Sequence, residues 1–154
     1  MTGAGNNERS GETIATRLRT AGLRVTPQRR AVLAAFAGAT GGHLTAEEVG
    51  ERARQEVPEL ARATVYKVLA ELVRTGLLQL VAGAGAARYD SNPDREHQHF
   101  RCRRCGTLHD VDAVGMEGLH LRAGAGFVTE RRTVVFEGLC PACGRLAGAT
   151  TEGR

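Results

Sequence analysis

Four cysteines are the residues of this 154-residue chain best suited to chemistry, and they form two CxxC pairs, Cys102/Cys105 and Cys140/Cys143. A two-residue gap lets both sulfurs of a pair turn toward one ion. In a cytosolic chain this pattern indicates metal binding rather than disulfides, with a redox dithiol or free core cysteines as alternatives. Two pairs with no cysteine left over predict a closed four-cysteine zinc site with a structural role.

A second group of potential ligands overlaps the first cysteine pair in the stretch HQHFRCRRCGTLHD, residues 97–110. His97 and His99 alternate, so both point to the same side of an extended segment. With groups from elsewhere in the chain they make a candidate set: His43, Asp90, His97, His99 and Asp110. Imidazole and carboxylate without thiolate suit Fe2+, Mn2+, or zinc with more than four ligands. Alternatively, the HxH motif is an exposed polar strand face and His43 is incidental in a glycine-rich loop.

The charge pattern limits the class of partner. The net charge is +4, and the segment from Thr13 to Leu33 holds five arginines and no acidic residue. Such a block favours a polyanion, although a solvated arginine face would look the same. Because no run approaches the roughly 18 apolar residues of a membrane span and the N-terminus lacks an apolar signal region, we expect a soluble, cytoplasmic protein without membrane contact.

Helix signals dominate the first half. Thr26-Pro27 predicts an N-cap followed by proline at the first helical position, and Thr45-Ala-Glu-Glu48 predicts a capping box for a helix that runs to about Glu56. In ARATVYKVLAELVRTG, apolar residues recur at helical spacing: Val65, Val68, Leu69, Leu72 and Val73. LLQLV and ARYD, on either side of a glycine-rich turn, predict a hairpin. Helices followed by a hairpin are typical of a winged helix-turn-helix.

The second half is predicted to be a small α+β unit. SNPDRE reads as a linker, and the strand candidates FRCRR, TLHDVD and FVTERRTVVFEGL surround one short helix near Met116–Arg122. A unit of this size holds too small a core to be stable alone, so it needs a metal, a partner subunit, or both.

The motifs TAGLRVTPQRRAVLAAF, TAEEV, ATVYKVLAELVRTGLL, RYD, HQHFRCRRCG and CPACG occur in the order found in the ferric uptake regulator (Fur) superfamily, and this resemblance covers most of the chain, from about Leu18 to Arg145. It implies a homodimeric, metal-responsive transcription regulator with an N-terminal winged helix and a C-terminal α+β dimerisation domain. It also implies structural zinc at the four cysteines and a regulatory site at the His/Asp set. The implied division is a disordered tail (1–10), a winged-helix DNA-binding domain (11–90), a hinge (91–96), a dimerisation domain (97–146) and a flexible tail (147–154).

The helix from about Ala61 to Thr75 is the candidate for reading the major groove of double-stranded operator DNA. The residues expected at the DNA are Arg24, Arg62, Thr64, Tyr66 and Lys67. By resemblance Arg24 can reach a narrow A·T-rich minor groove, whereas Arg29, Arg30 and Arg62 are expected at phosphates. A homodimer would read an A·T-rich pseudo-palindrome. Its interface is expected to use apolar residues of the second half: Val128, Val134, Val135 and Phe136.

The resemblance also bears on the signal. Iron-sensing members typically carry Glu at the two acidic ligand positions and peroxide sensors carry Asp, as at Asp90 and Asp110 here. The positions of an extra metal site in many iron sensors are occupied by Glu96, Gln98, Glu117 and Arg132. Gln and Arg are poor replacements, so we expect that site to be lost.

Both points favour a repressor that senses peroxide by iron-catalysed oxidation of His43 and His97 and then releases the operator of oxidative-stress genes. Manganese would give a peroxide-resistant repressor. The alternative is an iron-responsive repressor of metal-uptake genes, or less readily a zinc or nickel sensor. The spacer before His97 is one residue longer than in typical peroxide sensors, which leaves Asp94 or Asp112 as substitute ligands.

A different class is a non-haem iron enzyme, since two histidines and a carboxylate are its signature. The sequence has no nucleotide motif or oxyanion device, and its first half is a basic winged helix, so we expect no enzyme. The roles of His109 and His120 stay open; alternation with Asp110 turns His109 away from the site, which makes it a surface residue.

Overall fold

The described part of the chain, in this computed structural model, comprises residues 12–39, 42–81, 86–91, 97–119, 126–129 and 132–147. The chain divides into two units, residues 1–94 and 95–154. Residues 1–10, 92–96 and 148–154, which belong to the predicted tails and hinge, lie outside the described residues, as does His120. Among the described residues, no helix is long and apolar enough to cross a membrane.

Helix caps in the first unit form as the sequence predicts. The helices are α1 (Ile14–Thr20), α2 (Pro27–Ala34), α3 (Ala46–Ala53) and α4 (Arg62–Arg74). The Arg29 N–H donates to the Thr26 hydroxyl at the start of α2, and Thr45 and Glu48 form the reciprocal capping box of α3. The helix α3 ends at Ala53, earlier than the predicted Glu56, because the chain continues as a turn.

The core of the first unit lies on the apolar stripe of α4. Val65, Val68, Leu69 and Leu72 are buried, while Val73 is only partly buried. They belong to one cluster with apolar residues of α1, α2 and α3. Burying a Leu or Val side chain contributes about 1.5–3 kcal/mol, so this stripe fixes which face of α4 stays outside.

A three-stranded antiparallel sheet completes the first unit, in the order β1 (His43–Leu44), β3 (Arg88–Asp90), β2 (Gln79–Val81). The predicted hairpin is β2–β3; the strand β1 was expected to be a loop. Its two residues form a strand because they pair along the edge of β3, which places His43 opposite Asp90. Gly42 precedes it with φ +70°, and a Cβ there would lie 3.0 Å from Ser91 Oγ, so glycine permits this approach.

The second unit contains a sheet in the order β5 (Leu108–Val111), β4 (Gln98–Cys102), β6 (Val135–Gly138). The strand β4 pairs antiparallel with β5 and parallel with β6. The predicted helix near Met116–Arg122 is instead a 3-10 turn at Met116–Gly118 as far as Leu119; residues 120–122 lie outside the described part. The helix α5 (Pro141–Leu146) was not predicted. The α+β class, with a winged helix before a small α+β unit, is confirmed.

Replacing Thr45 by Ala removes the hydroxyl that accepts the Glu48 N–H. We expect the free energy of unfolding of the first unit to fall by about 1 kcal/mol, as for other lost N-caps. Urea denaturation followed by far-UV circular dichroism measures it. Thr20→Ala, at the exposed end of α1, is the control, and an equal loss in both variants would contradict the role of the cap.

The loss of stability in Thr45→Ala should depend on pH. Burial raises the pKa of Glu48, but its bonds with Thr45 and the charge of Arg88 outweigh burial, and the pKa lies below its ordinary value. A lowered pKa in the folded state stabilises above the unfolded pKa, and this contribution is lost as the pH falls through the folded value. The stability difference between wild type and Thr45→Ala should therefore shrink in acid.

Candidate metal centres and the exposed face of α4

The two cysteine pairs meet at one end of the second unit. Cys102 ends β4, Cys105 follows in the next turn, Cys140 is the N-cap of α5 and Cys143 lies in its first turn. The four sulfurs lie within 4.8 Å of one another, and those of Cys105 and Cys140 are 3.9 Å apart. Tetrahedral zinc with Zn–S bonds of about 2.3 Å separates its sulfurs by about 3.8 Å, so the cluster fits that ion.

Each pair sits on a tight turn that ends in glycine. The Gly106 N–H donates to the Cys102 carbonyl and the Gly144 N–H to the Cys140 carbonyl, both at 2.8 Å. The turns direct backbone N–H groups at the sulfurs. Those of Cys105 and Cys140 lower the pKa of the Cys102 thiol to about 5, so it is a thiolate at neutral pH. Such an anionic sulfur is the form that binds a metal.

The other thiols differ in their electrostatics. The hydroxyl and N–H of Thr107 lower the pKa of Cys105, whereas burial raises the pKa of Cys143 to about 12. A divalent cation would supply the charge that lets the buried Cys143 lose its proton. In the described part of this unit, Cys102, Cys140 and Cys143 form a buried cluster, with Leu139 packed against it.

Three further potential ligands converge in the second unit. The Nε2 atoms of His97 and His99 lie 3.1 Å apart. Asp110 Oδ1 lies 3.3 Å from His97 Nε2 and 3.9 Å from His99 Nε2. The β4–β5 register explains this, because it places His99 opposite Asp110. The imidazoles are buried and the carboxylate is 30% exposed, so the group has one side open to solvent.

The first unit holds an imidazole–carboxylate pair in its sheet. His43 Nε2 lies 3.9 Å from Asp90 Oδ1, and both side chains are buried. The β1–β3 register places the two residues opposite each other. Both groups thus combine imidazole nitrogen with carboxylate oxygen, the donor set that suits Fe2+ and Mn2+.

Other sequence-predicted ligands differ in their surroundings. Asp112 is exposed, and Asp94 lies outside the described residues. His109 pairs with Phe100 in the β4–β5 register, on the face of β5 opposite to Asp110. It was expected at the surface, but it is only partly exposed and its Nε2 is inaccessible to solvent. His109 is therefore only partly at the surface.

Two positions of the extra metal site are engaged in other bonds. The Gln98 side-chain oxygen accepts the Ala113 N–H at 3.0 Å, and Arg132 donates to the Leu119 carbonyl at 2.9 Å. These bonds fit the expectation that the extra site is lost. Glu117 is exposed, and Glu96 lies outside the described residues.

The exposed face of α4 begins at its first residue. Arg62, Tyr66 and Lys67 are exposed and Thr64 is half-buried. The Arg62 guanidinium lies 5.6 Å from the centroid of the Tyr66 ring. Glu47 of α3 accepts a hydrogen bond from each, at 2.8 Å from Arg62 and 3.2 Å from Tyr66. Sequence reasoning missed Glu47, since nothing in a single sequence shows which residue of α3 faces α4.

Arg29 forms two bonds within the first unit, and its contact with a DNA phosphate stays a prediction. Its Nε donates to Glu71 of α4 at 3.0 Å and its Nη1 to the Arg24 carbonyl at 2.8 Å. It therefore joins α2 to α4 and holds the backbone at Arg24, whose side chain is exposed. The Arg29 bond lowers the pKa of Glu71, which keeps this ion pair charged near neutral pH.

The sequence model of the ferric uptake regulator family matches residues 20–134. The chain belongs to this family. It is 39% identical to the transcriptional regulator FurA of Mycobacterium tuberculosis over 132 residues, 84% of this chain and 88% of FurA. It is 32% identical to the peroxide-responsive repressor PerR of Staphylococcus epidermidis over 139 residues, 86% of this chain and 88% of PerR.

The fold is also similar to those of solved structures of the family. A zinc uptake regulator complexed with zinc and DNA matches with a TM-score of 0.67 at 27% identity, covering 86% of this chain and 91% of that chain. The chain is thus a Fur-family metal-responsive transcriptional regulator and not an enzyme. The N-terminal helical unit corresponds to the family's DNA-binding domain and the sheet unit to its dimerisation domain.

Removing the second cysteine pair tests the sulfur cluster. In Cys140→Ala/Cys143→Ala we expect the chain to lose its bound zinc, measured by elemental mass spectrometry. Proteolysis should then degrade residues 95–154 first, because the buried cluster in the described part of that unit consists of cysteines of the candidate metal site. Thr107→Ala is the control, since it touches Cys105 but supplies no ligand. Full zinc content in the double variant would contradict the assignment.

Proposed function

We propose that the protein is an iron-dependent homodimeric repressor that binds operator DNA when its His/Asp site holds Fe2+, or Mn2+ as a substitute. The observation that carries this is the convergence of the His97, His99 and Asp110 ligand atoms within 3.9 Å of one another. Buried imidazoles beside a carboxylate are typical of a transition-metal site. The family name and the identity to FurA support iron as the signal.

We infer that one regulatory ion takes its ligands from His43, Asp90, His97, His99 and Asp110. The bound ion supplies positive charge that draws these side chains together. His43 and Asp90 belong to the three-stranded sheet of the first unit, whereas the other ligands belong to β5 or to β4 and the residue before it. An ion that binds both sets links the DNA-binding domain, residues 11–90, to the dimerisation domain, residues 97–146. Zinc at the four cysteines has the separate role of folding the second domain.

The DNA-reading residues of the proposal are those on the open face of α4. Tyr66 and Lys67 would meet base edges, Arg62 a phosphate and Arg24 the minor groove. The apolar residues Phe127, Val128 and Phe136 are 75%, 88% and 41% exposed. In a chain whose second unit has a small core, this surface supports association with a second copy. A homodimer presents two copies of α4 to a pseudo-palindromic operator.

His99→Ala should abolish metal-dependent DNA binding, because it removes a ligand from the centre of the site. We expect the chain to keep its zinc and to lose at least about tenfold in affinity for Fe2+ or Mn2+, measured by competition with a fluorescent chelator. Affinity for a DNA duplex selected by the wild-type protein should no longer rise with metal. His109→Ala, on the opposite face, is the control. Wild-type metal dependence in His99→Ala would refute the site.

A second candidate function, peroxide sensing, is favoured by one observation. Both acidic members of the set are aspartates, and the open side at Asp110 gives a small oxidant access. Fe2+ held by these residues would supply the chemistry for cleaving peroxide, with net transfer of one oxygen atom to the imidazole of His43 or His97 and release of the other as water. The oxidised imidazole would lose basicity and bind the ion less well. Because the chain is 32% identical to PerR but 39% identical to FurA, we rank peroxide sensing below iron sensing.

One comparison separates the two candidates. The protein is loaded with Fe2+ or Mn2+, exposed to peroxide, and assayed for DNA binding and for oxygen addition to histidine peptides. For an iron sensor we expect no histidine oxidation and DNA binding that follows Fe2+ concentration. Loss of DNA binding only in the iron form, with one added oxygen on a His43 or His97 peptide, would establish the peroxide reading. Asp110→Glu should then weaken the peroxide response.

A further inference from the structure

We infer that Glu47 is an internal competitor for DNA phosphate: it occupies Arg62 and Tyr66 when DNA is absent and lowers the affinity of α4 for DNA of any sequence. This rests on the proposed DNA-binding function of α4. The Glu47 Oε1 accepts from Arg62 Nη2 at 2.8 Å and from the Tyr66 hydroxyl at 3.2 Å. One carboxylate oxygen therefore holds two side chains assigned to DNA.

The local sequence explains why Glu47 points this way. Both acids of the capping box segment lie in the first turn of α3, but Glu48 turns back to the Thr45 N–H at 2.7 Å and to Arg88 at 3.2 Å. Glu47, one residue earlier, lies on another face of the helix and reaches the start of α4. Its partners Arg62 and Tyr66 are one helical turn apart, so a single carboxylate can contact both.

The contact contributes little to folding. The side chains of Arg62 and Glu47 are 72% and 56% exposed, and exposed ion pairs of this kind add little to stability because water and salt screen them. A hydrogen bond with Tyr66 and the charge of Glu47 raise the pKa of Arg62, a group that is protonated at neutral pH in any case. The contact matters instead because it limits how Arg62 and Tyr66 can bind DNA.

Phosphate and carboxylate compete for the same donors. Glu47 Oε1 is bonded to Arg62 Nη2, so a phosphate that approached this nitrogen from the same side would compete with the carboxylate for it. The remaining Glu47 charge then lies close to the DNA backbone and repels it. In a chain of net charge +4 with an acid-free arginine block, such a carboxylate offsets sequence-independent attraction.

Glu47→Gln in the full-length, metal-loaded protein tests this inference. Gln keeps the size and an acceptor oxygen but removes the charge. We expect affinity for a random-sequence duplex to rise about three- to tenfold, as one charged contact is freed. The dependence of log affinity on log salt should steepen by about 0.9, the value for one more neutralised phosphate. Fluorescence anisotropy over a range of salt concentrations measures both.

Two controls locate the effect. Glu51 is an exposed residue one turn further along α3, and it lines a groove together with Glu47, Arg62 and Tyr66. Glu51→Gln removes the same charge and should change affinity much less. In an Arg62→Ala background, Glu47→Gln should lose most of its effect, because Arg62 is the cation that Glu47 occupies. Circular dichroism checks that each variant folds.

Three results would overturn the inference: unchanged affinity of Glu47→Gln for random DNA, an equal gain in Glu51→Gln, or a gain that persists without Arg62. Weaker binding by Glu47→Gln would also overturn it and would assign Glu47 to positioning Tyr66 on the DNA. The metal dependence of wild-type binding is measured separately. Binding that does not depend on metal would count against the proposed function. The comparison of Glu47→Gln with wild type on random-sequence DNA does not use the metal dependence, so its result tests the Glu47 inference alone.

Discussion

The sulfur cluster is the interaction on which the second unit depends. Its described buried cluster consists of three of the four cysteines, with Leu139 packed against it. The sulfurs connect the end of β4 to the start of α5, two segments far apart in sequence. Because β4 also carries His99 and pairs with the strand of Asp110, the position of the imidazole–carboxylate group follows from the same connection. In the described part of this unit, that cluster and Leu108 are the buried apolar residues, so the proposed zinc would supply much of what holds the strands in place.

The first unit, unlike the second, is held together by a large apolar core. Its large apolar cluster fixes α4 and the sheet without a metal, and polar contacts adjust their ends. Glu48 bonds both the start of α3 and Arg88 of β3, while Arg29 joins α4 to the backbone at Arg24. The strand that carries Asp90 and the helix proposed to read DNA are thus parts of one packed body. A change at His43 and Asp90 therefore acts on a rigid domain rather than on a loop.

Signals that depend on neighbours in sequence could be predicted. The caps at Thr26 and Thr45, the buried stripe of α4 and the pairing of the cysteines follow from residue type and spacing. Features set by distant segments could not. The strand β1 has two residues, too few for a pattern, and forms because β3 accepts it. The bond from Arg62 to Glu47 and the partial burial of His109 depend on which surfaces meet, and that information is not local.

The two ligand sets also share a strand. Along β4 the side chains alternate, so Cys102 and His99 face opposite sides, and the strand is paired on both edges. A shift of β4 by one residue would exchange its two faces and move the imidazoles away from Asp110. A zinc ion held by the four cysteines, as proposed, would prevent Cys102 from moving independently of Cys140 and Cys143. The proposed zinc would then fix the register of β4, and oxidation of the thiols would disturb the proposed regulatory site without changing any of its ligands.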